Sequence, residues 1–244
     1  MKKILLTSLV ISSSAFAIVS IKPIEITNIQ EIKYEIGMSY STKSGNSDVK
    51  STALSLKSTQ YDIGYANMLV LDHEYGESSG TKNTDKTFAH IRHIRATDDE
   101  RLNYELFVQA QKDTFRSIQS RYLTGVGVRY KVNLENDSSV FFGLGIFNTQ
   151  LKEDNTTSSF ESINSYISYN QVFDSGAKLT YNGYFQPRID SLDDYQISQK
   201  AQLSFKITNA VSLTFNLNHT YDASPASGVE KSDLSTKTGL NYKF

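Results

Sequence analysis

Long runs of strict alternation between apolar and polar residues constrain this chain more than any other feature. The stretch "VSLTFNLNHTY" sets Val211, Leu213, Phe215, Leu217, His219 and Tyr221 against Ser212, Thr214, Asn216, Asn218 and Thr220. "ISQKAQLSFKI" sets Ile197, Ala201, Leu203, Phe205 and Ile207 against Ser198, Lys200, Gln202, Ser204 and Lys206, with Gln199 the one polar intrusion on the apolar side. "YLTGVGVRYKV" and "IKYEIGMSY" repeat the pattern. A period of two is the signature of a half-buried strand. It predicts twelve strands, over 32–42, 49–58, 63–77, 86–95, 101–114, 119–132, 139–152, 158–172, 177–186, 194–207, 211–221 and 232–244. Soluble strands average ~5–6 residues, whereas a tilted strand crossing a bilayer needs ~9–11; these runs match the second length. Ten or fourteen strands stay open, because "FAHIRHIR" and "VFFGLGIF" do not separate into two faces.

The N-terminus carries a different signal. Lys2 and Lys3 precede an apolar run, Ile4 to Ile11, and Ala15-Phe16-Ala17 is a small-x-small cleavage site. This is the layout of a secretory signal peptide, 1–17, removed after Ala17. The expected division is then the signal peptide, a short periplasmic segment over 18–31, and a barrel over 32–244. Losing two Lys takes the formal charge from −1 to −3, which gives no reason to expect nucleic-acid binding. The chain has no Cys, so disulfides and thiol chemistry are absent. No stretch of the sequence is long and apolar enough for a membrane helix. The mean hydropathy of −0.38 does not exclude a membrane barrel, whose strands give only alternate residues to lipid.

The connections between runs alternate in length. Short ones fall near 59–62, 96–100, 133–139, 173–176 and 208–210, and longer ones near 78–85, 187–194 and 222–231. Outer-membrane barrels have short periplasmic turns and longer external loops. An even strand count then puts both ends in the periplasm. The competing fold is a secreted soluble barrel with its apolar face turned inward around a ligand. Strand length favours apolar faces turned to lipid. So does the last strand: Leu234, Leu240, Tyr242 and Phe244 alternate with Lys237, Asn241 and Lys243.

The segment "NHTYDASPASGVEKSDLSTKTGLNYKF", Asn218 to Phe244, resembles the C-terminal hairpin of the salt-induced outer membrane protein family, a family of outer-membrane β-barrels of unknown activity. Tyr221, Asp222, Pro225, Gly228, Asp233, Tyr242 and Phe244 match that hairpin, while Ala223, Ala226 and Leu234 depart from it. "KDTFRSIQSRYLTGVGVRY" resembles the middle hairpin of the family and "STKSGNSD" its first loop. The resemblance implies an outer-membrane barrel and supplies no activity. Leu240, Tyr242 and Phe244 also resemble the terminal signal by which outer-membrane barrels are recognised by the barrel-assembly machinery, an expected partner during biogenesis besides outer-membrane lipid. Recognition of that kind is strand addition to an open sheet edge. The oligomeric state is not encoded in any of these features.

Few residues point to chemistry. His90 and His93 lie three apart, so a strand puts them on opposite faces and a shared metal is not expected. His219 belongs to an apolar face. A rough register gives it Gln199 on one side and Leu234 or Thr236 on the other, with no Ser for a lipid hydrolase. Gly125, Gly127, Gly143 and Gly145 lack the Lys-Ser/Thr of a phosphate loop and are expected to make room for large lumen side chains. Charge on the polar faces is more informative. If 101–114 and 119–132 form a hairpin centred near Ser117, Glu105 faces Arg129 and Asp113 faces Arg121. These four form either a filter for solutes or a brace for the wall. Twelve strands at ~4.8 Å spacing and ~40° tilt give a backbone diameter of roughly 24 Å, leaving roughly 10 Å at most inside. No cofactor is expected. The leading functional expectation is a non-enzymatic narrow channel for ions or small polar solutes in the outer membrane. A structural or salt-responsive barrel with a closed lumen comes second, and a lipid hydrolase a distant third.

Overall fold

Twelve strands form, each antiparallel to its neighbours in sequence, and the first closes on the last. They are β1 (Glu31–Lys43), β2 (Val49–Asp62), β3 (Tyr65–Ser78), β4 (Thr81–Ala96), β5 (Leu102–Asp113), β6 (Ile118–Asn133), β7 (Ser138–Glu153), β8 (Thr156–Val172), β9 (Lys178–Pro187), β10 (Tyr195–Lys206), β11 (Val211–Asp222) and β12 (Ser232–Lys243). The computed structural model describes residues 21, 23–27, 29–43, 49–99, 101–136, 138–153, 156–225 and 230–244. The signal segment with Ala15 and Ala17 lies outside them, as do most of the 41–48 loop and Gly228. The expected fold is therefore found, including the two strands with mixed patterns, β4 and β7. In β4 the mixture is resolved by facing: Phe88, His90, Arg92 and Ile94 point inward, and Ile91, His93 and Arg95 outward.

Direction follows from burial. Outward positions carry Met38, Leu106, Leu144 and Leu240, all more than half exposed, while Arg92, Glu105 and Arg129 inside are at most 3% exposed. A soluble barrel with an apolar interior would show the reverse. An outer belt of exposed aliphatic residues is what a hydrocarbon layer covers. Aromatics flank the belt: Tyr34, Tyr104, Tyr130, Tyr242 and Phe244 near the end that bears both termini, and Tyr40, Tyr75, Tyr122 and Phe185 near the other.

The expected alternation of loop lengths is only partly present. The 78–85 loop is instead a tight turn at Ser79 and Gly80, both with positive φ, so β3 and β4 run on almost to their tip. Among the connections at the end away from the termini, 188–194 and 223–231 are long.

The chain ahead of β1 also contributes to the interior. The sequence reading makes 18–31 a short periplasmic segment. In the structure Ile21, Pro23 and Ile24 are buried, and Ile21 and Ile24 pack against inward residues of β3 and β4. The pattern-based reading had no way to see this, because one short apolar segment shows no period.

The seam between β1 and β12 is the shortest ladder, five residue pairs from Glu35↔Lys243 to Ser39↔Gly239, against thirteen between β1 and β2. Two features reinforce it. Tyr34 and Phe244 exchange backbone hydrogen bonds of 3.0 and 3.1 Å, and their rings stack at 5.6 Å. Glu35 accepts from Lys57 of β2 at 3.3 Å and from Asn241 of β12 at 3.0 Å, with Lys243 at 3.7 Å. One carboxylate thus ties three strands. Replacing Glu35 by Ala should remove about 1.5–3 kcal/mol, the range for hydrogen bonds to a charged group. The folded, fast-migrating band should convert to the unfolded band at a lower temperature, and equal conversion temperatures would show that the seam does not depend on Glu35.

Candidate functional site in the barrel lumen

The lumen has two unlike halves. On the β4–β9 side the inward residues form a packed polar and aromatic network centred on Glu105. Its Oε2 accepts from the Tyr166 hydroxyl at 2.9 Å. Its Oε1 lies 3.4 Å from Arg129 Nη1 and 3.7 Å from Arg92 Nη1. The guanidinium carbons of Arg92 and Arg129 sit 5.7 Å and 5.2 Å from the ring centroids of Phe107 and Phe141. One buried carboxylate thus serves two guanidiniums, whose remaining charge is met by aromatic faces.

Glycine makes this network possible. A Cβ at Gly125 would come within 2.3 Å of the Phe107 ring, and a Cβ at Gly143 within 1.9 Å of the Tyr166 ring. These two rings lie across the neighbouring strands, and only a residue without a side chain leaves them room. The role expected for Gly125 and Gly143 is therefore met. Gly127 and Gly145 differ: a Cβ on either would meet backbone of the facing strand, at 2.9 and 2.3 Å.

The predicted charge pairs survive in part. Register places Glu105 opposite Gly127 and Arg129 opposite Asn103. Glu105 and Arg129 nevertheless pair diagonally, within the reach of a long side chain. Asp113 and Arg121 are not register partners. Irregularities at Gln111/Asp113 and Ile118/Ser120 put Asp113 opposite Ile118 and Arg121 opposite Gln111. Asp113 accepts from the Phe115 backbone N–H at 3.2 Å and stands 3.9 Å from Lys86. Arg121 donates to Gln196 at 3.0 Å, and Gln196 donates to Asp222 at 2.9 Å. Sequence reasoning also missed Arg92, Tyr166 and Tyr184. Their inward parity was the available signal, but their partners sit on strands far away in sequence.

On the side formed by β10–β12, β1 and β2, the inward residues include Lys57, Lys200, Lys237, Asn216 and Asn218. Lys237 pairs with Glu74 at 2.6 Å and Lys57 with Glu35 at 3.3 Å. Both lysine side chains are 23% exposed, against 1–3% for Arg92, Glu105 and Arg129. An inward side chain that keeps solvent exposure inside a closed wall borders open space.

The histidines take separate places. His90 points inward beside Gln109 (3.3 Å), and His93 points outward beside Asn67 (2.8 Å), so they share no ligand. Among the described residues no group of three or more His, Asp or Glu could hold a metal ion. His219 has the expected cross-strand partners, Gln199 and Leu234. A correction concerns the absent Ser: Ser232 Oγ lies 3.1 Å from His219 Nε2. This distance suits a nucleophile and its base. The pair is exposed, and among the described residues no side chain hydrogen-bonds the other ring nitrogen. A catalytic His needs that second contact for orientation.

The family model described as a protein of unknown function, DUF481, matches residues 36–244. The chain belongs to this family. No curated protein matches its sequence. Several solved structures share the barrel fold. The NanC porin has a TM-score of 0.54 at 11% identity, with 88% of this chain and 100% of that chain covered. An outer-membrane channel from Pseudomonas putida F1 has a TM-score of 0.54 at 12% identity, with 90% and 96% covered. The translocator domain of the autotransporter NalP from Neisseria meningitidis has 0.51 at 12% identity, with 89% and 90% covered. At such identities the likeness is one of fold: this family member is built as outer-membrane barrels are.

Two outcomes follow from the packed half. Glu105→Gln leaves two buried guanidiniums facing a neutral amide and should destabilise the barrel by about 3 kcal/mol or more, read as a lower heat-unfolding temperature. Gly143→Ala should also lower that temperature, because the Tyr166 ring must leave its place. Unchanged unfolding in both variants would mean that the network does not brace the wall.

Proposed function

We propose that the protein is a narrow outer-membrane channel for ions and small polar solutes, with its path along the β10–β12, β1 and β2 side. The observation that carries this reading is the contrast between the two halves of the lumen, one packed and the other lined by partly exposed Lys57 and Lys237. The belt of outward aliphatic residues supports a position in lipid. The end bearing both termini is read as periplasmic, with the signal peptide removed after Ala17. Phe244, Tyr242 and Leu240 are read as the assembly signal. The position of Phe244 at the seam suits recognition by strand addition, since this edge stays open until the barrel closes.

In this reading Glu105, Arg92 and Arg129 are braces. The residue that sets selectivity is Lys200, an inward lysine of β10 whose register partners are Asn182 and Asn218. Lysine-lined pores favour anions. The competing reading is a structural barrel with a closed lumen, favoured by the packed half.

Planar-bilayer recording of purified protein separates the two. The channel reading expects unit conductance steps, and a reversal potential that Lys200→Glu moves several-fold toward cations in permeability ratio. Glu105→Gln should leave that ratio unchanged once the protein has folded. A silent bilayer, with the N-terminal segment present and with it deleted, would leave the closed structural barrel.

A further inference from the structure

We infer that residues 21 and 23–27 belong to a tethered plug, docked in a seat built into the lumen wall, whose release widens the passage. The inference rests on the channel reading above.

The seat is the first observation. Among the described residues the lumen wall carries three buried apolar clusters. Two of them, Phe107–Leu123–Phe147 and Phe141–Tyr166–Tyr184, are made of wall residues alone. The third contains Ala66, Met68 and Val70 of β3 with Phe88 and Ile94 of β4, and it is completed by Ile21 and Ile24. Without the segment these inward side chains would face water, which opposes their burial-driven packing. Apolar residues clustered on the inner face of a channel call for a cover, and the chain supplies its own.

The segment suits the seat. Pro23 is among the most deeply buried residues. Having no N–H, it enters an apolar seat without stranding a donor. The carbonyl of Ile21 accepts from the Tyr184 hydroxyl at 2.7 Å. Tyr184 belongs to β9, halfway round the barrel from β3, so Ile21 and Tyr184 together bridge the lumen. Nearer the mouth Glu25 is held by Lys131 at 2.9 Å and by Ser139 at 3.4 Å. Lys131 and Ser139 sit on β6 and β7 close to the turn that joins them, at the end bearing the termini. The Glu25 side chain is 49% exposed. The deep contact is thus apolar and the mouth contact is an accessible ion pair, while β1 provides the covalent tether. A segment held this way is released as a unit when the ion pair and the apolar contact are weakened together.

The absence of native Cys makes the test clean, because an introduced thiol is the only one present. Refolded chain beginning at Ile18 is compared in planar bilayers with chain lacking 18–27, and with Glu25→Lys and Glu25→Lys/Lys131→Glu. In parallel, Ile24→Cys is labelled with a water-soluble maleimide, with Gln30→Cys as an accessible reference. The plug requires several-fold larger conductance after deletion, more frequent large openings in Glu25→Lys, and their reversal by the second substitution. It also requires labelling at position 24 at least tenfold slower than at position 30, accelerated by Glu25→Lys. Labelling at equal rates overturns docking whatever the bilayer shows. Equal conductance with and without 18–27 overturns the plug while leaving the channel reading standing. Silence of both forms removes the channel reading and the gate with it.

Discussion

Every backbone amide of a membrane-spanning sheet must find its partner within the sheet, because hydrocarbon offers none. The barrel exists only if β1 meets β12, and that closure is the shortest ladder in the molecule. The residues at this junction make sense as reinforcement. Glu35 gathers partners from both flanking strands, and Phe244 adds two backbone bonds and an aromatic stack beyond the last pair of the ladder. The remainder of the wall can rely on ladders of eight pairs or more.

Closure in turn fixes how much can be placed inside. The packed half meets this limit by giving up side chains on β6 and β7, so that rings from β5 and β8 lie across the glycines. Such packing keeps water from Glu105, Arg92 and Arg129, and this is why they must satisfy one another. The half that contains the seam is built differently. Its lysines and amides border open space, and its ion pairs are partly solvated. Rigid packing and solvated space are thereby assigned to different arcs of one wall.

How much of this was legible in the sequence depended on how local the physics is. Alternation is local, so the strand count and the facing of most positions follow from it. In β4 both faces are mixed because its inner face carries Phe88 and Ile94 beside His90 and Arg92, and that mixture reflects the seat for the N-terminal segment. Register is less local. A hairpin drawn without bulges brings Asp113 opposite Arg121, but irregularities near Gln111 and Ser120 move each to another register partner. Tyr166 and Tyr184 approach Glu105 and Ile21 from strands far away in the chain, and no spacing rule connects them. Ser232 was missed beside His219 because the contact is diagonal, whereas the facing residue is Leu234.

The position of the buried N-terminal segment has a kinetic side. It directly precedes β1, the strand that must find β12 for the wall to close. A segment so placed need not be threaded through a finished mouth. It can settle on β3 and β4 while the sheet is still open, and the final strand pairing then encloses it. The order of assembly would decide whether the occupant is captured or left outside, and the seam would act as the door that records the outcome.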